Sequence, residues 1–388
     1  MSANNVAQIK NNRLFYIDNI RWLMIILVLS MHAAVTYSNM GGWYYTEKIN
    51  VDYPTHLFFL TYQSALQSFF MGLLFFIAGY FVPKAFDTKG AGRFLKDRLV
   101  RLGVPTLLYI FLIGPLTEYF VSKSWHPDPI GRSFLQEYKY YIIRFRLFGG
   151  TGPLWFCEAL LIFCLTYVLF RKTFKKNLLA SDSTPTNRDI VIFAGILALS
   201  TFLVRIPLPK GSSFYNLQLC YFAQYIIMFI AGTEAYRKKW LQNITLHTGL
   251  LWGRLAFSGG IVLWAVLIAF SVAFNLDGDN FGGGFHWESL GFCIWESLIC
   301  TGVSLYIIVL FRERFNKPPG KPVQFFSANA FAVYVFHPPV LIALAIMLHS
   351  LQWHPVIKFI LLTLLSVVAT FTISEFLLRK IPLLKNIL

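Results

Sequence analysis

Charge is scarce in this chain. Asp, Glu, Lys and Arg together supply 13% of its 388 residues, about half the roughly 25% of an ordinary soluble domain. That shortage excludes a surface solvated mainly by water. Cysteine is also sparse: Cys157, Cys164, Cys220, Cys293 and Cys300 are odd in number and all lie in or near apolar runs. They offer neither a disulfide framework nor zinc-ligand spacing. Each of the pairs Cys157/Cys164 and Cys293/Cys300 is seven apart and shares a helix face, as small buried side chains would. No cleavable leader is expected. The first 13 residues are polar, and the apolar run beginning at Leu23 has no small-residue cleavage site after it. Internal repeats and a fused soluble domain are missing from the pattern as well. The Asp277-Gly-Asp279-Asn280 run lacks the rest of a calcium loop, and no metal is expected.

Hydrophobic residues are abundant, at 56%, with 39 Phe. A membrane span needs about 20 apolar residues, and ten candidates occur, at roughly 15–37, 56–83, 103–122, 153–170, 190–206, 215–235, 250–274, 286–311, 326–349 and 355–378. The fifth is short, and the eighth contains Glu288 and Glu296. Of the 34 Lys and Arg, 23 fall in alternate connecting segments and the termini, against 7 in the other set. Arg21, Arg205, Arg254 and Lys358 sit at span edges. The positive-inside rule then places both ends in the cytoplasm. The expected fold is all-α: a polytopic transmembrane bundle of about ten spans, forming one domain over 1–388. The net charge of +16 is an orientation signal, so nucleic acid is set aside as a partner and the lipid bilayer takes its place.

Ionisable side chains within spans are costly and mark candidate function. Arg21 and His32 are eleven residues apart, close to three helical turns, so they share one face about 16 Å apart along the axis. They could line a pathway with a cation at the cytoplasmic mouth and a titratable base deeper in. An interface anchor and a packing histidine would give the same pattern. In the cytoplasmic stretch Arg93-Phe-Leu-Lys96-Asp-Arg98-Leu-Val-Arg101, Arg98 and Arg101 are three apart with Lys96 and Arg93 close by. Such guanidinium pairs suit phosphates, or simply anchor a helix start. Gly152-Pro153-Leu154-Trp155-Phe156-Cys157-Glu158 places an interfacial Trp155 beside Glu158, a carboxylate that could pair with a His or Arg or act as a base. His337 is a second intramembrane imidazole, followed by Pro338. Glu234, His286, Glu288, Glu296 and Glu375 are further ionisable positions. Glu375 could serve only to neutralise Arg379 and Lys380, and the His286–Glu288 region with Gly282–Gly284 reads as an outer turn.

These blocks occur in the order found in the bacterial acyltransferase 3 family, which the chain resembles from Tyr16 to about Pro382. Tyr16-Ile-Asp18-Asn19-Ile-Arg21, ten residues and then His32 resemble its Arg/Lys-x10-His signature. Phe75-Phe-Ile-Ala-Gly79-Tyr80-Phe81 resembles its second-helix glycine motif, and Arg98-Leu-Val-Arg101 its Arg-x-x-Arg motif. Leu154-Trp155-Phe156 and Tyr334-Val-Phe-His337-Pro338 resemble the later blocks. The chain departs from the pattern at Pro153, often His, and at Ala330-Phe331-Ala332, often Ser-Tyr-Gly.

The resemblance implies an enzyme of the inner membrane. It would move an acyl group, acetyl or succinyl, from cytoplasmic acyl-CoA to a hydroxyl of an envelope carbohydrate or glycoconjugate. Arg98, Arg101, Lys96 and Arg93, with Arg21, would face the phosphates of CoA. His32 would be base or transient acyl carrier, and Glu158 or Asp18 could orient an imidazole. The aromatic and basic segment 123–152 is the expected acceptor-recognition element, its arginines suiting an anionic polymer. A secondary transporter or exporter of a small anionic or acylated solute is the rival reading, but transporters usually carry paired repeats. A sensory or scaffold protein would leave the Arg21–His32 register a coincidence. The sequence leaves a homo-oligomer open.

Overall fold

The computed structural model describes residues 13–124, 131–174 and 182–382. Lys10, Lys175, Lys176 and Lys385 of the charge bias, and residues 125–130 of the long segment expected to face outward, lie outside the described residues. Among those described, the chain is helical, and its only β pairing is one isolated bridge between Phe214 and Leu217. The helices are α1 (Phe15–Ser38), α2 (Tyr53–Arg98), α3 (Val104–Leu108), α4 (Gly114–Ser124), α5 (Phe134–Ile143), α6 (Trp155–Thr173) and α7 (Asn187–Arg205). They continue as α8 (Phe222–Arg237), α9 (Trp240–Asn243), α10 (Leu246–Arg254), α11 (Gly260–Ala273), α12 (Trp287–Phe315), α13 (Lys321–Met347) and α14 (Pro355–Phe376).

Each of the ten expected spans falls on its own helical segment. Eight helical stretches are long and apolar enough to cross a membrane. The difference has two local causes. Helix α8 has 16 residues, short of a full span. Residues Tyr53–Ser124 are continuous in helical pairing over 72 residues, but Gly90 breaks them at φ 71°, ψ 163°. Only glycine adopts that region readily, and the chain reverses there. Arg21 lies over the Phe81 ring at 4.8 Å and also feels the charge of Arg98. A straight helix would set Phe81 and Arg98 about 25 Å apart. Past the reversal, Leu99–Gly103 and Tyr109–Ile113 are π-helical turns, a form frequent at functional sites.

Helices α1 and α2 are the most enclosed, and the α10–α11 rod is the least. The rod shows Ile261, Val262, Val266 and Phe270 on its exterior, as a lipid-facing helix does. Burial at the centre depends on small residues. A Cβ on Gly79 would collide with the carbonyl oxygen of Phe229, and one on Gly232 with that of Phe76. The backbones of α2 and α8 therefore touch reciprocally, the small-residue crossing favoured between membrane helices. Gly79→Leu is expected to lower the melting temperature in detergent, overpacking of this kind costing about 1–3 kcal/mol. An unchanged melting temperature contradicts the crossing.

Candidate active site

His32 lies in the C-terminal half of α1, where the 39–52 loop folds back over it. Asn39 ends the helix in the left-handed conformation, and Gly41 (φ 85°) begins the return. The Glu47 amide donates to the Thr36 carbonyl at 2.9 Å, and Asn39 Nδ2 donates to the Ile49 carbonyl at 2.7 Å. Lys358 Nζ then holds Glu47 Oε1 at 2.5 Å, with both side chains at most 5% exposed. Stranding either partner of such a pair costs about 3–5 kcal/mol, so the loop is held firmly. Its Trp43 lies flat on His32, ring centroids 3.6 Å apart and planes at 17°.

His337 comes from α13 and stacks on His32 at 5.2 Å and 20°. Its orientation follows from the next residue. Pro338 has no N–H, so the Tyr334 carbonyl four residues earlier lacks its helical donor. His337 Nδ1 fills that role at 2.9 Å. A carbonyl can only accept, so the proton sits on Nδ1 and Nε2 keeps its lone pair. That Nε2 is buried with no protein partner.

The motif blocks of α2, α6 and α13 meet alongside. Phe75 packs on Phe156 at 4.6 Å and on Tyr225 at 4.9 Å. Trp155 stacks on Tyr225 at 5.5 Å, and the Tyr334 hydroxyl donates to the Pro153 carbonyl. Trp155 is thus a packing residue of this aromatic layer. Glu158 is half-buried, hydrogen-bonded to the Thr151 side chain, while its Oε2 is enclosed without a partner. Among the described residues nothing joins Glu158 to either histidine.

Toward the other end of α1, Arg21 meets Asp18 at 3.3 Å, and Asp18 meets Arg13 at 2.8 Å. Asp18 therefore orients Arg21; it does not orient an imidazole, since His32 lies about 21 Å farther along the helix. Arg21's side chain is 41% exposed, so Asp18 does not close it off. Arg98 is half-buried against the Phe94 ring at 5.1 Å and has no carboxylate partner among the described residues. Arg93, Lys96 and Arg101 are exposed. The π turn that starts at Leu99 separates Arg101 from the half-buried setting of Arg98, so the two do not share one environment. Asn19 ties α1 to the end of α12, where its Nδ2 donates to the Phe315 carbonyl at 3.0 Å.

Several functional or structural groups escaped sequence reasoning. Lys358 and Arg205 lie near the ends of their helices, but neither is a surface anchor; each is 1% exposed. Arg205 is ion-paired to Glu296, which Lys210 also meets at 3.4 Å. The Gly284 amide donates to the Arg205 carbonyl at 3.0 Å, so this group pins the glycine-rich turn. Glu375 does more than neutralise Arg379: it accepts from buried Asn329 at 2.6 Å as well as from Arg379 at 2.7 Å. The five cysteines are free and buried, as expected. No cluster of metal-ligating side chains occurs among the described residues.

Segment 131–152 contains α5, started by a Ser133–Gln136 capping box. It forms a cleft of about 320 Å³ with Tyr44, Glu118, Tyr119, Tyr138, Tyr141 and Arg146 in its wall. The expectation of arginines free for an anionic polymer is corrected here. Arg146 pairs with Glu118 at 3.1 Å, Arg132 with Glu137 at 3.0 Å, and Arg144 lies over Tyr140 at 4.9 Å. The wall is aromatic and its charges are matched. Burial pushes the Tyr44 phenol up to about 12, so it stays a neutral hydrogen-bonding group. Tyr44 is also edge-on to Trp43 at 5.2 Å, which connects the cleft wall to the His32 stack.

The acyltransferase domain of the acyltransferase 3 family matches residues 14–375. The glucans biosynthesis protein C of Shigella dysenteriae serotype 1 (strain Sd197) is 26% identical over 347 residues, covering 84% of this chain and 82% of that protein. That of Escherichia coli O17:K52:H18 (strain UMN026 / ExPEC) is 26% identical over 346 residues, with coverage of 84% and 82%. No solved structure matches the chain. With several apolar helices of spanning length and a domain match over nearly its whole length, the chain belongs to the acyltransferase 3 family and is a multi-pass membrane enzyme that transfers acyl groups.

Proposed function

We propose that this enzyme takes acetyl or succinyl groups from acyl-CoA on the cytoplasmic side and delivers them to a hydroxyl of an envelope carbohydrate or glycoconjugate on the outer side. In this reading the chain is one domain of ten spans in the inner membrane, with both ends cytoplasmic. The observation that carries it is the division of labour along one face of α1. Arg21, with Arg98 beside it, makes one end cationic, and His32 stands about 16 Å away among groups that face no protein partner. CoA phosphates suit the arginines, and its pantetheine arm is long enough to carry the thioester toward His32. There, neutral His32 either removes the acceptor hydroxyl proton during attack or first takes the acyl group itself.

The aromatic cleft supports the acceptor side. Tyrosine faces stack on sugar rings, and matched charges favour a neutral polyol over a polyanion. The relatives named for glucan biosynthesis fit that preference. The test is transfer from radiolabelled acetyl-CoA to a glucan by the purified enzyme in nanodiscs. Tyr138→Ala is expected to raise the acceptor KM about tenfold, the size of one lost aromatic contact of about 1.4 kcal/mol, with the KM for acetyl-CoA unchanged. A well-folded enzyme that binds no acyl-CoA overturns the donor assignment.

A further inference from the structure

We propose that Trp43 is a catalytic residue, whose indole N–H holds the acyl carbonyl oxygen while negative charge develops on it; this rests on the acyl transfer at His32 set out above. Trp43 reaches the site from a loop, which is why no spacing rule in the sequence picks it out. Its ring lies flat on His32 at 3.6 Å, and the Glu47–Lys358 pair holds the loop that carries it. Its Nε1 is buried with no hydrogen-bond partner. A buried indole usually finds a partner for that N–H, and leaving a buried donor unmet costs about 1–3 kcal/mol. A second enclosed unpartnered polar atom, His337 Nε2, belongs to the ring that stacks on the other two.

The stacked geometry suits a carbonyl oxygen. The stack puts an indole N–H donor and an imidazole base in one compact site, ring centroids 3.6 Å apart. The step balances without any further reactant. The acceptor hydroxyl loses its proton to His32 as its oxygen bonds to the thioester carbon, and the carbonyl oxygen becomes an oxyanion that accepts from Trp43 Nε1–H. The C–S bond then breaks, and the proton on His32 passes to the departing thiolate. If His32 is acylated first, the same N–H serves both tetrahedral intermediates.

The test measures kcat and acetyl-CoA affinity in nanodiscs for wild type, Trp43→Phe, and an enzyme carrying benzothienylalanine at position 43. The last keeps the indole shape and replaces the N–H by sulfur. Both replacements are expected to lower kcat about 10²–10³-fold, the size of one lost oxyanion donor, with acetyl-CoA affinity unchanged. Full kcat in the benzothienylalanine enzyme overturns the inference alone. So does a loss of kcat accompanied by an equal loss of acetyl-CoA affinity, which marks a packing role. Wild-type turnover that survives His32→Ala overturns the underlying reading and the inference together.

Discussion

His32→Ala is expected to abolish acyl transfer while acyl-CoA still binds. A positioned base contributes about 10²–10⁴-fold, and an acyl-carrying nucleophile contributes the whole covalent route. Donor binding should survive because Arg21 lies about 16 Å along α1 from the imidazole, and Arg98 acts on Arg21 at that far end. Removing the ring also removes the platform under Trp43, so His32→Gln serves as the more conservative companion. Both variants should elute as folded protein, bind acetyl-CoA with wild-type affinity and release no CoA above background. Release of CoA at the wild-type rate by either variant contradicts the role given to His32.

The second large effect belongs to the cationic end. Arg21→Ala combined with Arg98→Ala removes two charged donors from the mouth proposed to hold the phosphates of CoA. Hydrogen bonds to charged groups are worth about 1.5–3 kcal/mol each, so kcat/KM for acetyl-CoA should fall about 10²–10⁴-fold. The loss should appear mainly in KM, since neither guanidinium reaches the reacting carbon. The wild-type KM should itself rise with ionic strength, as screening weakens the same contacts. Arg101→Ala, at an exposed position, should have a much smaller effect. Equal losses for Arg98→Ala and Arg101→Ala would place the donor on the protein's outer rim instead of beside Arg21.

What was legible in the sequence was local. Each of the ten apolar runs fell on a helical segment, because burial in lipid needs an unbroken stretch of apolar side chains. The eleven-residue step from Arg21 to His32 was legible because a helix fixes the angle between its own residues. His337 was legible for the same reason, its proline being the next residue. The rest depends on contacts between distant parts of the chain. Lys358 meets Glu47 across 311 residues, and nothing near either residue announces it. Arg205 sits at the end of an apolar run, where a snorkelling arginine and a buried one look alike. Trp43 looks like any interfacial tryptophan until its loop is seen folding onto α1. The Gly90 reversal was legible only as a polar break, and the α5 helix lay hidden in a segment read by composition. The arginines of that segment were read as available because their carboxylate partners, Glu118 and Glu137, are set by folding.

The central claim is that donor and acceptor meet at His32 from opposite faces of the bundle. It is tested most directly in proteoliposomes of known orientation, with labelled acetyl-CoA confined to the face bearing Arg21 and Arg98 and glucan confined to the other. The account predicts label on the glucan and free CoA left on the donor side, both lost with His32→Ala. Labelling that occurs only when glucan and acetyl-CoA share one face would contradict it.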